Sequence, residues 1–285
     1  MHLQPLEPLG AIASDIDLRE PLDAAGVREI ERAMDRHAVL VFPGQSLDEH
    51  QQIGFARSLG PLDLGFRKVR GGPHRFAHAE LADISNVTID GEVAARTHAK
   101  IVGNIANQLW HSDSSFQRPR AKYSMLHAVV VPSAGGETEF ADLRLAYDAL
   151  PPAMKARIDG LEAVHDALHS RLMLGDTGYS AEQRSVLAPV TWPLVQTDPR
   201  SGRRILFVGV HAREIVGMTV AEGRMLIMDL IEHATQREFV YRHHWKVGDL
   251  VMWDNTATLH RGRHFDFAER REMRRATTEE VAAPG

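Results

Sequence analysis

The sequence predicts a mainly β protein with flanking helices, an α+β fold resembling a sandwich or a jelly-roll barrel. Many short runs of strand composition follow residue 109, separated by turn signals such as Gly135-Gly136. A few helical segments precede or interrupt these runs, without the regular alternation of strand and helix that a Rossmann fold requires. Nucleotide-binding motifs of the G-x-G-x-x-G or P-loop type do not occur.

The first third of the chain is mixed. Residues 23–36 carry apolar side chains at helical spacing, and residues 38–42 predict a short buried strand. Ser46 and Glu49 then predict a capping box, which opens a helix that Gly60 stops.

Residues 61–108 are rich in loops, with a turn expected at Asp90-Gly91. Long loops in a compact domain often cover a functional site, so we expect a lid region here. The sequence shows no internal repeat, low-complexity tract or linker, so one domain is expected over residues 1–285.

Strand composition dominates from residue 109 onward. The expected strands are 124–131, 137–141, 190–196, 204–208, 239–245, 249–253 and 270–277. Helices are expected at about 143–160 and at 220–234, and a capping box of Thr219 and Glu222 opens the second.

Composition narrows the chemistry. The 285 residues include no cysteine, which excludes disulfides, thiolate catalysis and iron–sulfur clusters. A metal must therefore use His, Asp and Glu, which suits octahedral Fe, Mn or Co. The formal net charge of −5 does not favour a nucleic-acid binder. Without a signal peptide or a membrane-spanning apolar run, the protein is expected to be cytoplasmic.

His111 and Asp113 form an H-x-D pair that could supply two metal ligands. On a strand, residues two apart point to the same face. His264 and Asp266 repeat the spacing, and an H-x-E pair begins at His78. Spacing alone therefore cannot distinguish a metal site from a hydrogen-bonded polar pair.

A distant histidine favours the first pair. Two histidines and one carboxylate form the facial triad of non-haem Fe(II) oxygenases, which leaves open positions for a cosubstrate and O₂. His260 follows an apolar run and an Asp-Asn turn. A jelly roll would bring such a late strand beside an early one, so His260 is the expected third ligand.

The arginine-rich run 270–277 predicts a strand with two guanidiniums on one face. Arg271 and Arg275 share that face, while the alternate set, including Arg274, is expected to face solvent. Buried arginines need partners and suit bidentate carboxylate recognition, so two anionic groups are implied. A salt-bridged surface strand is the alternative. Nucleic-acid binding is disfavoured by the net acidity.

These motifs resemble the TauD/TfdA family of Fe(II)- and 2-oxoglutarate-dependent dioxygenases. The likeness runs from about residue 15 to residue 278 and is greatest to members that act on 2,4-dichlorophenoxyacetate. The stretches that carry it are WHSDSSF (110–116), VVVPSAGGETEFADLRLAYDALP (129–151), VMWDN (251–255), LHRGR (259–263) and RREMRRAT (270–277).

The resemblance implies a double-stranded β-helix (jelly-roll) core and a defined iron site. It implies that His111, Asp113 and His260 bind Fe(II). It further implies that Thr138 and Arg271 hold the distal carboxylate of 2-oxoglutarate, with O₂ as the second cosubstrate.

The resemblance also assigns substrate contacts. Arg275 matches the arginine that binds the substrate carboxylate, and Lys68 matches a lysine that assists it. His211 occupies a pocket position, and Asn107 is expected to face the pocket. There is one departure, because Glu92 stands where the 2,4-dichlorophenoxyacetate enzymes have a second lysine.

The implied reaction is hydroxylation of the ether-side CH₂ of an aryloxyacetate, which gives a phenol, glyoxylate, succinate and CO₂. The partner would be a small anionic aromatic substrate, with no nucleic acid and no membrane, in a homo-oligomer. Two alternatives stay open. One is the same chemistry on an alkyl sulfonate, a sulfate ester, an aryloxypropionate or an arylpropenoate. The other is a cupin-like metal-binding protein, which would not need Thr138 and Arg271.

Overall fold

The computed structural model describes residues 1–65 and 74–281. Lys68 therefore lies outside the described residues. The described chain is a mixed helix and strand protein in which β-sheets surround the candidate site. Across this part of the chain, no helix combines the length and apolarity needed to cross a bilayer.

In the described residues, the strands form one large sheet and three small ones. In chain order they are β1 (His2–Pro5), β2 (Ala11–Ser14), β3 (Val39–Phe42), β4 (Ala82–Asp83), β5 (Ala121–Val130), β6 (Thr138–Asp142), β7 (Glu162–His165), β8 (Val190–Pro193), β9 (Val195–Thr197), β10 (Arg204–Leu206), β11 (Ala212–Ile215), β12 (Val240–His243), β13 (Leu250–Asp254), β14 (Thr258–Gly262) and β15 (Glu272–Glu279). The seven-stranded sheet has the order β1-β2-β3-β13-β5-β15-β4, and the sheet that matters most beside it is β12-β6-β14.

Helices pack mainly outside these sheets. They are α1 (Ala24–His37), α2 (Glu49–Ser58), α3 (Ala99–Ile105), α4 (Leu143–Ala149), α5 (Pro152–Ile158), α6 (Ala167–Met173), α7 (Ala181–Val186) and α8 (Val220–Ala234), with short 3₁₀ helices at Ala106–Gln108 and Arg237–Phe239. The capping box of Thr219 and Glu222 on α8 is confirmed.

The capping box predicted for α2 is wrong by two residues. Asp48 accepts from Gln51 N, and the Gln51 side chain accepts from Asp48 N. Leu47, just before the helix, is buried, and its carbonyl accepts a hydrogen bond from the Arg274 guanidinium. Because the chain leads from Ser46 to the buried Leu47, the helix begins only after Leu47, with Asp48 as its N-cap.

The large sheet is covered on both faces. Val39 and Val41 of β3 point into the core shared with the β12-β6-β14 sheet, which also holds Phe140. Leu40 and Phe42 point the other way, into a second core formed with α1 and α2. This alternation is the period-2 geometry of a strand. Because neither face of β3 or β13 meets solvent, these two strands are nearly continuous apolar runs.

The same alternation governs β15. Met273 lies in the core between the sheets, whereas Ala276 lies in the core beneath α1 and α2. Arg271 and Arg275 therefore share the inner face, as expected. The expectation that Arg274 faces solvent is wrong, because α2 covers that face. Its guanidinium contacts Leu47 O and His127 Nδ1 at 2.6 and 3.1 Å.

Short elements of the middle region escaped sequence analysis. The expected strand 190–196 is two strands, β8 and β9, parted at the fully buried Leu194. Of the β11-β7-β8 sheet only β8 was predicted, and helices α6 and α7 were not, because elements of four to seven residues carry little periodicity. These elements matter because α6 and the segment before β11 line the site.

Candidate active site

Two backbone hydrogen bonds join the two halves of the site. His111 N donates to His260 O at 3.1 Å, and His260 N donates to His111 O at 2.8 Å. His260 lies on β14, but His111 belongs only to this isolated bridge, and Asp113 lies in the turn that follows. The expectation that His111 and Asp113 share a strand face is therefore wrong. The turn, with Ser114 at φ +48°, brings the carboxylate round to the imidazole.

His111, Asp113 and His260 form a compact cluster. One potential ligand atom from each lies within 4.8 Å of the other two, and all three side chains are buried. In the described part of the chain, no other group of three such side chains could hold a metal. The similar pairs that begin at His264 and His78 thus join no such cluster.

The two imidazoles are prepared as neutral ligands. The ring of His111 donates from Nδ1 to Leu109 O at 2.7 Å, so its Nε2 lone pair faces the cluster. Burial lowers the pKa of His111 and, more strongly, that of His260, although Asp113 partly offsets both shifts. A neutral imidazole is the form that binds metals. The second nitrogen of His111 is also engaged, whereas His260 Nδ1 has no hydrogen-bond partner in the described chain.

Asp113 is held as a carboxylate despite its burial. Burial alone would raise its pKa, but nearby positive charge, chiefly that of Arg275, leaves the pKa below its usual value. The Arg275 guanidinium donates to Oδ1 at 2.5 Å, and Ser124 Oγ donates to Oδ2 at 2.7 Å. A charged acceptor with such donors is fixed in both ionisation and orientation.

Asn255 organises the groups around Asp113. Its Oδ1 accepts from Asp113 N and from Trp253 Nε1, both at 3.0 Å. Its Nδ2 donates to Ser124 Oγ at 2.9 Å. Because that hydroxyl in turn donates to Asp113, the Asn255 amide fixes both the backbone and the side chain of the carboxylate residue.

This donor set fits a divalent transition metal. Two neutral imidazoles and one carboxylate on one side of a point match the facial triad of Fe(II) oxygenases. The buried Asp113 carboxylate supplies the negative charge that a cation needs, and hydrogen bonds already orient its ligands. His111, Asp113 and His260 would hold the ion.

A first cavity opens beside the cluster. Thr138 of β6 and Arg271, just before β15, line it together with His111 and His260. Another part of its wall is formed by Ile84, Ser85, Asn86, Asn104, Asn107 and Gln108, which all fall within residues 61–108. The structure thus brings together the two residues predicted to hold a dicarboxylate.

Arg271 carries a buried charge without a carboxylate partner among the described residues. Its side chain is 8% exposed, and within the described residues its guanidinium makes only long hydrogen bonds, 3.3 Å to Ile84 O and 3.4 Å to Gly136 O. Its Nε has no hydrogen-bond partner within the described chain. Burial lowers the pKa of Arg271 to about 10. Such a group calls for an anionic ligand.

The Gly135-Gly136 turn makes room for this guanidinium. A Cβ on Gly136 would lie 3.3 Å from Arg271 Nε, and one on Gly135 would lie 2.5 Å from His264 O. Both glycines have positive φ, at +72° and +77°. The loop after β14 therefore packs against bare backbone, and its Phe265 ring lies 5.6 Å from the Arg271 guanidinium.

A second cavity lies on the Asp113 side of the cluster. His211 lines it, with its ring edge-to-face to Phe116 at 5.0 Å and to His111 at 6.1 Å. Burial lowers the pKa of His211 well below its usual value, so its ring is neutral. Arg275 and Asn107 line both cavities. Glu92 lies on an exposed turn, apart from either cavity.

Sequence reasoning missed several residues of the site. Arg171, on α6, lines the second cavity and had no signal because α6 itself was not predicted. Ser124 and Asn255 hold Asp113 from positions 11 and 142 residues away. The Asp-Asn turn was seen before His260, but nothing in the sequence shows that its asparagine reaches back to Asp113.

We expect Asn255→Ala to weaken divalent metal binding by about 10- to 100-fold, because it removes the amide that orients the carboxylate ligand. The measurement is a titration with Mn(II) or Co(II). Gln52→Ala is the matched control, since it deletes another buried amide that donates to Met125 O and Arg274 O away from the cluster.

The control should lose stability while keeping metal affinity within about twofold, because Gln52 donates to backbone carbonyls and to none of the side chains that hold Asp113. Equal metal affinities for Asn255→Ala and the unmodified protein would contradict this role of Asn255.

Comparisons with known proteins agree with this geometry. The family model described as taurine catabolism dioxygenase TauD, TfdA family, matches residues 2–277. An alpha-ketoglutarate-dependent 2,4-dichlorophenoxyacetate dioxygenase of Cupriavidus pinatubonensis (strain JMP 134 / LMG 1197) is 62% identical over 96% of each chain. An (S)-phenoxypropionate/alpha-ketoglutarate-dioxygenase of Sphingobium herbicidovorans is 38% identical, over 93% of this chain and 89% of its own.

A solved structure shows the same fold. The crystal structure of AAD-2 in complex with Mn(II) and N-oxalylglycine superposes with a TM-score of 0.92 and 43% identity, covering 99% of this chain and 98% of that one. The resemblance drawn from the sequence motifs is thereby confirmed. The chain belongs to the TauD/TfdA family of dioxygenases.

Proposed function

We propose that this protein is an Fe(II)- and 2-oxoglutarate-dependent dioxygenase that hydroxylates the ether-side CH₂ of aryloxyacetates such as 2,4-dichlorophenoxyacetate. The observation that carries the proposal is a buried His-Asp-His cluster between two cavities, each lined by a guanidinium. Arg271 lacks a carboxylate partner among the described residues and needs an anion, and Arg275 can bind a second one beside Asp113. The reaction supplies two anions, the cosubstrate and the substrate. The 62% identical relative bears the same activity in its name.

The first cavity is the cosubstrate site. Arg271 has the unmatched charge that the distal carboxylate of 2-oxoglutarate would neutralise, and Thr138 offers a hydroxyl beside it. The keto-acid end of the molecule would then lie toward His111 and His260. A cupin-like binding protein has no use for this pair, so the cavity favours the oxygenase.

The second cavity receives the aromatic substrate. Arg275 lines this cavity beside Asp113, where it can bind a carboxylate close to the reacting carbon. His211 and Phe116 offer ring surfaces for the aryl group. Asn107 and Lys68, the latter outside the described residues, complete the proposed substrate contacts.

The protein's contribution to the reaction is position and charge. Bound iron supplies the O₂ activation that couples decarboxylation of 2-oxoglutarate to hydroxylation of a substrate C–H bond. Arg275 fixes the carboxylate so that the adjacent CH₂ is presented to the metal face of His111, Asp113 and His260. Hydroxylation there gives a hemiacetal, which collapses to the phenol and glyoxylate.

We further infer that the large sheet and the β12-β6-β14 sheet are the two halves of a double-stranded β-helix. The support is that they share one core, in which Val251 and Met273 meet Phe140 and Leu259. Residues 1–285 would form one domain around it, with residues 61–108 as the lid region that borders the cosubstrate cavity.

The direct test is an assay of succinate and phenol from 2,4-dichlorophenoxyacetate, 2-oxoglutarate, Fe(II) and O₂. We expect both products in equal amounts, and neither without Fe(II) or 2-oxoglutarate. Absence of succinate with aryloxyacetates, sulfonates and sulfate esters alike would overturn the oxygenase assignment. If only a sulfate ester supported succinate formation, the substrate assignment would change, while the assigned reaction type would stand.

Arg275→Ala should raise the KM for the aryloxyacetate by about 10- to 100-fold, the loss expected for a charged hydrogen-bond partner, while the KM for 2-oxoglutarate changes less than about threefold. The matched control is Arg274→Ala, which removes the neighbouring arginine on the opposite face of β15. It should leave the KM for the aryloxyacetate unchanged. An unchanged substrate KM in Arg275→Ala would show that the substrate carboxylate binds elsewhere.

Arg271→Met should weaken the binding of 2-oxoglutarate and increase the stability of the ligand-free protein. Because burial depresses the pKa of Arg271, its charge opposes folding at every pH below that value, so replacing it should stabilise the ligand-free protein by about 1–2 kcal/mol at pH 7.5. The KM for 2-oxoglutarate should rise at least about 100-fold. Thermal unfolding and steady-state kinetics measure the two effects. A destabilised variant with normal cosubstrate affinity would refute the assignment.

A further inference from the structure

A tryptophan lies behind the proposed cosubstrate hydroxyl. Trp245 follows β12 by two residues, and its indole Nε1 donates to Thr138 Oγ1 at 3.0 Å. Strand pairing sets this contact, because His243, the last residue of β12, is directly opposite Thr138 on β6. Trp245 is partly buried against the core between the sheets and does not line the cosubstrate cavity itself.

The direction of this hydrogen bond fixes the role of the hydroxyl. An indole N–H can only donate, so Thr138 Oγ1 must act as the acceptor toward Trp245. The hydroxyl proton is then available in another direction. Thr138 is 3% exposed and lines the cavity that holds the Arg271 guanidinium, so the proton is available to a ligand there.

We propose that Trp245 is a positioning residue, which occupies one acceptor lone pair of the Thr138 hydroxyl and so directs its proton toward the distal carboxylate of the cosubstrate. The inference rests on the proposed function, in which that carboxylate binds at Thr138 and Arg271. A carboxylate can only accept, so a hydroxyl prepared to donate loses no orientational freedom when the ligand arrives.

The indole is itself held in place. Its ring meets the His243 ring edge-to-face at 4.6 Å and 87°. The His243 ring is fixed on both sides, by Tyr241 OH at Nδ1 and by Asp249 Oδ2 at Nε2, each at 3.1 Å. Asp249 Oδ2 also accepts from Lys246 N at 2.9 Å, which ties down the loop that carries Trp245. The hydroxyl is thus oriented by a connected network.

A preference for carboxylate over carboxamide follows from this arrangement. A carboxamide offers Arg271 and Thr138 one acceptor atom, whereas a carboxylate offers them two, one for each donor. Without Trp245, both lone pairs of the Thr138 hydroxyl are free, so it can turn and accept from the amide more readily. Losing the indole should therefore weaken the carboxylate ligand more than its amide.

The experiment uses the Mn(II)-loaded protein and measures the Kd of N-oxalylglycine by calorimetry, which needs no turnover. Trp245→Phe should raise this Kd about three- to tenfold, the value of one oriented hydrogen bond, with Mn(II) affinity unchanged. A second ligand is the analogue of N-oxalylglycine whose distal carboxylate is a carboxamide. In the same variant, the Kd of this amide divided by the Kd of N-oxalylglycine should decrease. Trp245→His, which keeps a ring N–H, should recover part of both losses.

Trp192→Phe is the matched control. Its indole donates to Ser115 O at 2.7 Å, away from Thr138, so the Kd should stay within about twofold. The decisive comparison is a double-mutant cycle. If Trp245 acts through the hydroxyl, Trp245→Phe should leave the Kd unchanged once Thr138→Val is present.

The outcomes separate the two proposals. If Thr138→Val binds N-oxalylglycine like the unmodified protein, the cosubstrate site itself is misplaced. If Thr138→Val binds weakly but Trp245→Phe binds normally, or if the two effects add in the cycle, only the role of Trp245 is overturned. Variants that lose Mn(II) affinity as well would show a general loss of structure, which also overturns the positioning role.

Discussion

The paired backbone hydrogen bonds between His111 and His260 are the contact on which the site depends. They join a segment that belongs to no strand to β14 in the small sheet, across 149 positions of sequence. Once they are made, the turn after His111 brings Asp113 within reach of both imidazoles. The Asn255 amide oxygen, in the turn before β14, accepts a hydrogen bond from Asp113 N and so stabilises the turn that follows His111. A backbone contact places the ligands, and side-chain bonds orient them.

Charge divides the site into two halves. Asp113 and Arg275 satisfy each other, whereas Arg271 is buried without a counter-charge in the described chain. Burying a lone cation costs free energy that folding must offset elsewhere. This cost is understandable if an anion neutralises Arg271 during each catalytic cycle. The same reasoning explains why the groups around Arg271, from Thr138 to the Gly135-Gly136 turn, leave space for a ligand rather than fill it.

Sequence patterns anticipated what local geometry determines. Strand alternation correctly predicted that Arg271 and Arg275 share one face, and the motifs correctly predicted that His260 lies beside His111. They failed where a distant element decides the outcome. Arg274 was assigned to solvent because nothing in β15 reveals that α2 covers it. The capping box was predicted at Ser46 but lies at Asp48, because Leu47 is buried in the core. The roles of Asn255 and Trp245 depend on partners more than 100 residues away, which no local pattern records.

The central claim is that the two guanidiniums serve different anions. A crystal structure of the protein with Mn(II), N-oxalylglycine and 2,4-dichlorophenoxyacetate tests it most directly. We expect the distal carboxylate of N-oxalylglycine on Arg271 and Thr138, and the carboxylate of the aryloxyacetate on Arg275, with its CH₂ facing the metal. Both carboxylates on one arginine, or the two ligands exchanged between the cavities, would contradict the assignment.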